Sequence, residues 1–377
     1  MLNQLQLISL LKNKQLYSLI MKVPFNDLKR IHEPLRTKFH EILDGVLDNS
    51  SFIGDINFSE EFSKYTGSMY GVSCNSGTDA LYIAIKSLDL KPKSRIAVPA
   101  ITYAATAMAV VNAGHIPVFI DVDKETGLML VESVKNVDCV IPVHLYGQCV
   151  DVSKLLDLDI PIIEDCAQAH GAMINGKHVG TIGNIGCFSM YPGKNLGALG
   201  DAGVCITNSE TLSIKMKQYA SLGVQNNNRY NHITDGINSR MDGIQGLFLK
   251  EKLKYLDGWT NDRIRIGEIY NSKYNFPKRS DMGKDVYHVY YTLQDDRDDY
   301  IKYMNENGIQ TGIHYPISLP ELECFKEYTG GTTCINAKEF CKKCVSLPLF
   351  PYMTTDEIDF TLKCHIDYHL RELYSYH

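Results

Sequence analysis

Three short stretches combine residue types and spacing that could do chemistry. The run "CFSMYPGKNLGALGDAG", Cys187 to Gly203, sets one lysine, Lys194, among glycines and small residues directly after an apolar segment. In "IPIIEDCAQAHGA", Asp165 follows residues that read as a covered strand. A carboxylate there costs on the order of several kcal/mol unless a cation faces it. In "NSGTDAL", an apolar strand ends and Gly77 and Thr78 open a helix, whose free N–H groups and dipole suit an anion. Each stretch also has a plainer reading: a lysine decorating a turn, an aspartate capping a turn or sharing a metal with His170, and an ordinary helix N-cap.

Spacing removes two nucleotide readings. A phosphate loop needs G-x-x-x-x-G-K-[ST], but Gly186 lies seven positions before Gly193 and Asn195 follows Lys194. "GALGDAG" is not G-x-G-x-x-G and does not open a helix after the first strand. One cofactor uses all three stretches. Pyridoxal 5'-phosphate takes a lysine for its Schiff base, a carboxylate against its pyridine nitrogen and a helix N-terminus for its phosphate.

These residues need elements to hold them. From Tyr70 to about Ile206, short Val, Ile and Ala-rich runs alternate with helical stretches: "MYGVSC", "RIAVPA", "IPVFIDVD", "VDCVIPVHLYG" and "IPIIEDC". The runs lack polar alternation, as strands covered on both faces do, which predicts an α/β doubly wound, mostly parallel sheet with ligands at the strands' carboxyl ends. Beyond Arg240 a single long helix is expected over "MDGIQGLFLKEKLKYLDGWTNDRIRIGEIYNSKY", followed by a smaller C-terminal α+β domain. The expected division is an N-terminal extension over 1–20, a large cofactor-binding domain over 21–240 that includes a helix from about Leu28 to Leu47, and the long helix plus small domain over 241–377. "MLNQLQLISLLKNKQLYSLI" is broken by Lys12 and Lys14, too polar for a membrane span, and Met21 is a plausible initiator.

Bulk composition agrees with this reading. The chain has 377 residues, 44% hydrophobic and 22% charged, with a net charge of -6 and no clustered Lys or Arg, so neither nucleic acid nor a membrane is an expected partner. Its eleven cysteines, odd in number and irregularly spaced, read as reduced core thiols of a cytoplasmic protein. "CKKC", Cys341 and Cys344 within a predicted helix, lacks a second pair and reads as two buried thiols, with a zinc module that adds Cys334 or Cys364 and His365 to this pair as the lesser alternative.

From Met21 to about Pro316 the sequence resembles the sugar-nucleotide aminotransferases of the DegT/StrS type, within the fold-type I pyridoxal-phosphate enzymes. The motifs "VPFNDL", "NSGTDALYIAI", "ITYAATAMAVVNAG", "HLYGQ", "IEDCAQAHGA", "CFSMYPGKNLGALGDAG", "GINSRMDGIQG" and "GIHYP" occur in family order. The resemblance implies that Lys194 forms the Schiff base, Asp165 meets the ring nitrogen, Gln168 lies near the ring and Tyr103 stacks on it. It implies phosphate contacts from Gly77, Thr78 and Ser189 of one subunit and Asn238 of the other, hence a homodimer with shared active sites. His314 and Tyr315 match a loop near the sugar nucleotide. Met190 and Gly193 depart from the commoner Phe and Thr. Gly243 and Gly246 stand where Glu and Ala are usual, at an expected cost of roughly 1 kcal/mol each to their helix.

The reaction implied is a two-step transamination with L-glutamate as donor, leaving 2-oxoglutarate and pyridoxamine 5'-phosphate, which then aminates a keto-sugar nucleotide. Dehydrating relatives carry histidine in place of the lysine, so Lys194 argues for amino transfer. The first expectation is a 4-keto-6-deoxyhexose on dTDP or UDP, giving a viosamine-type product. A 3-keto sugar is the alternative, and a non-catalytic regulatory protein that holds the cofactor is a third.

Overall fold

A computed structural model describes residues 21–225 and 228–375, and the 1–20 segment lies outside the described residues. The central sheet is built from β1 (Tyr70–Cys74), β2 (Arg95–Pro99), β3 (Ile116–Ile120), β4 (Cys139–Val140), β5 (Ile163–Asp165), β6 (Ile185–Ser189) and β7 (Gly203–Thr207). A four-stranded part runs β1, β7, β6, β5 and a three-stranded part runs β3, β2, β4. Parallel bridges Val140 to Ile162 and Val143 to Asp165 join the two parts. Only β7 runs against its neighbours, pairing antiparallel with both β1 and β6. The expected mostly parallel sheet is therefore present, and its strands are apolar because both faces are covered: β6 and β7 are buried almost throughout.

Helices lie on both faces. The N-terminal segment carries α1 (Leu28–His32) and α2 (Arg36–Asn49), followed by α3 (Phe58–Thr66), α4 (Gly77–Ser87) and α5 (Ala105–Asn112). The helix expected over 28–47 is broken by a 3-10 turn at Glu33–Leu35, because Pro34 has no N–H to continue the α-ladder. After β7 come α6 (Glu210–Ala220), α7 (Gly243–Leu253) and α8 (Leu256–Lys273). The single long helix expected beyond Arg240 is thus two. Its apolar period continues across the break, but Lys254 N–H turns back to Glu251 O and Tyr255 N–H to Lys252 O, tightening the turn before α8 restarts.

Gly243 and Gly246 have a steric reason. A Cβ on Gly243 would lie 1.8 Å from Ser51 O, and one on Gly246 would lie 2.3 Å from Asp55 O, so α7 packs directly onto the 51–55 backbone. Their helix-propensity cost is the condition for that close approach.

The C-terminal part pairs β8 (Tyr290–Leu293) with β9 (Cys344–Leu347), antiparallel, flanked by α9 (Arg297–Glu306), α10 (Ile335–Lys343) and α11 (Thr355–Ser375). Tyr270, Tyr290, Tyr300, Phe350 and Tyr368 form its apolar cluster, which also takes in Val23. Cys344 begins β9, so the CKKC run straddles a helix end rather than lying within one helix. Among the described residues, no helix is long and apolar enough to cross a membrane.

Candidate active site

A cavity of about 600 Å³ opens at the carboxyl ends of the central strands, as expected for an open parallel sheet. Asp165 is the last residue of β5, Ser189 the last of β6, and Lys194 sits on the turn that follows. Gly77 and Thr78 form the first turn of α4, Tyr103 lies between β2 and α5, and His314 and Tyr315 close the cavity from the C-terminal part. Of the residues predicted from sequence, Gly77, Thr78, Tyr103, Asp165, Gln168, Ser189, Lys194, His314 and Tyr315 all line this one cavity. Asn238 does not: it is exposed, and its Oδ1 accepts from Arg240 Nε at 3.1 Å.

The anion end is built by close packing. A Cβ on Gly77 would lie 2.5 Å from Ser189 Cβ, so only glycine lets the α4 N-terminus abut that hydroxyl. Ser76 caps the helix by accepting from Asp79 N–H at 3.1 Å. The cap leaves the earlier N–H groups of the turn directed at the cavity.

At the other end, Asp165 is almost fully buried. Its Oδ2 accepts from Thr106 Oγ1 at 2.9 Å and its Oδ1 from Ala167 N–H at 3.1 Å. Burial raises its pKa, while these two hydrogen bonds and the Lys194 charge act in the opposite direction. Lys194 is lowered from 10.5 to about 8 by burial, with Asp165 opposing. The lysine turn is rigid: Lys194 N–H donates to Tyr191 O at 2.8 Å, Ala198 N–H donates to Met190 O at 2.7 Å, and a Cβ on Gly197 would meet Pro192 O at 2.2 Å.

Gln168 ties two walls together. Its Oε1 accepts from Tyr146 N–H at 2.6 Å and its Nε2 donates to Tyr315 Oη at 3.1 Å. Tyr103 is 62% exposed at the mouth, its ring 6.0 Å from that of Tyr315. His314 stacks on Phe25 and shares a 2.8 Å hydrogen bond with Ser346 Oγ; burial and the nearby Lys194 lower its pKa to about 4.

An anion cradle, a buried acid and a desolvated amine within one cavity match the phosphate, ring nitrogen and aldehyde of pyridoxal phosphate. Asp165 does not pair with His170 as a shared metal site would require. His170 is buried under Phe62 and Phe188, both ring nitrogens lack a hydrogen-bond partner among the described residues, and burial lowers its pKa to about 3. His144, Glu164 and Cys166 do converge, but His144 Nδ1 accepts from Val150 N–H at 3.1 Å. Its proton therefore sits on Nε2, directed to Glu164 at 3.0 Å, and no lone pair is left for an ion. Glu164 also accepts from the N–H groups of Gly180, Ile182 and Gly183.

Several lining residues escape a motif-based reading. Phe25 and Asn26 come from "VPFND", His288 from "VYHVYYTL", and Thr106 from "ITYAAT". A polar histidine inside an otherwise apolar, aromatic run just before β8 is the one signal available for His288.

The profile of the DegT/DnrJ/EryC1/StrS aminotransferase family matches residues 39–364. The UDP-N-acetyl-3-dehydro-alpha-D-glucosamine 3-aminotransferase of Acidithiobacillus ferrooxidans is 33% identical over 353 residues, covering 89% of this chain and 95% of that enzyme. The dTDP-3-amino-3,4,6-trideoxy-alpha-D-glucose transaminase of Streptomyces venezuelae is 31% identical over 351 residues, covering 88% and 92%. The X-ray structure of S. venezuelae DesV in complex with a ketimine intermediate superposes with a TM-score of 0.88 at 29% identity, covering 92% of this chain and 98% of that one. With matches of this reach, the chain belongs to the DegT/DnrJ/EryC1/StrS aminotransferase family and is a pyridoxal-phosphate-dependent transferase of amino groups.

Proposed function

We propose that the protein moves the amino group of L-glutamate onto the 3-keto carbon of a nucleotide-linked sugar. The observation that carries this reading is the 33% identity, over 95% of its length, to an enzyme named for 3-amination of a UDP-sugar. A second relative, named for a dTDP-3-amino sugar, supports the same carbon on a different carrier. Position 3 is therefore preferred to the viosamine-type 4-amination that stands first on sequence alone.

Bound pyridoxal phosphate supplies the electron sink that makes the donor's α-proton acidic. The chain's residues then have the following roles. Asp165 carries a negative charge against the ring nitrogen, and the pairing offsets its burial. The α4 N-terminus, with Gly77 and Thr78, and Ser189 Oγ hold the phosphate. Lys194 Nζ, near pKa 8, provides the neutral amine for covalent attachment and, once released, moves the proton from the donor's Cα. Tyr103 shields one face at the mouth, and Gln168 fixes the wall through Tyr315. Asn238, exposed in a single chain, suits a contact into the site of a second copy, which makes the working unit a homodimer.

The test is amination of purified UDP- and dTDP-linked 3-keto and 4-keto sugars with 15N-L-glutamate, locating the new amine by NMR. The 3-keto sugars should react roughly 100-fold faster. A 4-amino product formed in preference would overturn the assignment.

A further inference from the structure

A buried polar chain of side chains runs beside Lys194. Asn195, the next residue, is buried, and its Nδ2 donates to Val286 O at 3.2 Å. A carbonyl can only accept, so this bond fixes the amide and turns Asn195 Oδ1 toward His288 Nδ1, 3.0 Å away. His288 must then carry its proton on Nδ1. Arg263, buried in α8 with no carboxylate partner among the described residues, donates through Nη1 to the carbonyls of Tyr287, His288 and Leu349, at 3.3, 3.5 and 2.9 Å. Burial, Lys194 and Arg263 all act to keep the imidazole uncharged. His288 lines the cavity with Lys194 and keeps part of its surface there, while Nε2 bonds to none of the described residues.

We propose that His288 is a catalytic hydrogen-bond acceptor: its bare Nε2 receives an N–H of the Lys194 amine once that amine is released from the cofactor, and so aims the amine's lone pair at the donor's α-carbon. The geometry supplies the reason. A free Lys194 amine has rotatable donors and, among the described residues, no other fixed acceptor on the turn that holds it, and a misaimed base loses rate steeply. A neutral imidazole locked in one tautomer accepts without competing for the proton. The proposal rests on Lys194 being the reacting lysine.

Two substitutions separate the ring's two edges. His288→Asn keeps a donor where Nδ1 meets Asn195 and removes the acceptor; His288→Gln keeps an acceptor where Nε2 lies and removes the donor. In single turnovers of the holoenzyme with L-glutamate, read as 2-oxoglutarate released, His288→Asn should slow the reaction by roughly 100-fold with little change in glutamate affinity. His288→Gln should stay within roughly tenfold of wild type. Loss in His288→Gln alone, equal loss in both, or no loss in either overturns the proposal. A second readout needs no turnover. 15N-histidine NMR of the cofactor-free chain, with the His288 signal identified by its absence in His288→Gln, should show a neutral ring protonated on Nδ1 from pH 6 to 8; an Nε2–H tautomer or a charged ring overturns it. If wild-type holoenzyme releases no 2-oxoglutarate, the reading of the whole site fails instead.

Discussion

Among the described residues, burial lowers the pKa of two lysines, and they sit on either side of the same turn. Lys194 faces the cavity, with its pKa lowered to about 8. Lys252, on α7, is 2% exposed, and burial alone lowers its pKa to about 7. Lys252 has its donors engaged: Nζ donates to Gly197 O and to His32 Nε2, the latter at 3.0 Å, and lies 5.8 Å from the centre of the Trp259 ring. Gln245 on the same helix accepts from Leu199 N–H at 2.8 Å. Thus α7 braces the lysine turn from behind, through two side chains, while Lys194 projects forward. Desolvation alone does not distinguish a reactive lysine from a structural one; what the amine already touches does.

The largest expected effect separates the two directly. Lys194→Ala should lose at least ~10³-fold in turnover with the fold intact. Lys252→Met should leave turnover within about tenfold, yet lose roughly 1 to 3 kcal/mol of stability in thermal denaturation, because Gly197 O and His32 are left without a donor. Normal turnover in Lys194→Ala would break the comparison. A similar contrast holds for neighbouring carboxylates on β5, whose side chains point to opposite faces. Asp165→Asn should slow the reaction roughly 10²- to 10³-fold without destabilising the chain. Glu164→Gln should mainly lower stability, since an amide cannot accept all of the N–H groups that the carboxylate serves; the pair of melting curves and rates checks both.

A smaller, pH-dependent effect follows from the Lys194 pKa. Only the neutral amine attacks an aldehyde, and Lys194 is protonated below about 8. Capture of pyridoxal phosphate by the cofactor-free chain should therefore rise about tenfold per pH unit up to about 8 and level off above it. An inflection at the ordinary value of 10.5 would show an undisturbed amine. The smallest effect is on packing behind the site. Gly246→Ala should destabilise by roughly 1 to 3 kcal/mol despite alanine's better helix propensity, because its Cβ would lie 2.3 Å from Asp55 O. An unchanged melting temperature would show that the 51–55 segment yields.

Lys194, Asp165 and the Gly77 turn were legible in the sequence because each is a local event, an unusual residue at the end of an apolar strand. The sheet was legible for the same reason, through unbroken apolar runs. What escaped reading depends on contacts between distant segments. The roles proposed for Asn195 and His288 rest on a bond across 93 positions, and Lys252 reads as one more helix lysine until His32 and Gly197 are seen beside it. Gly243 and Gly246 read as a defect because the backbone they accommodate lies far upstream. The two-helix break at Lys254 is invisible because hydrophobic period carries straight through it.

The measurement that bears most directly on the central claim is borohydride reduction of the holoenzyme followed by peptide mapping. Reduction fixes the cofactor to whichever lysine holds it. The pyridoxyl group should be found on Lys194 and not on Lys252. A tag on Lys252, or on any lysine outside the cavity, would contradict the account.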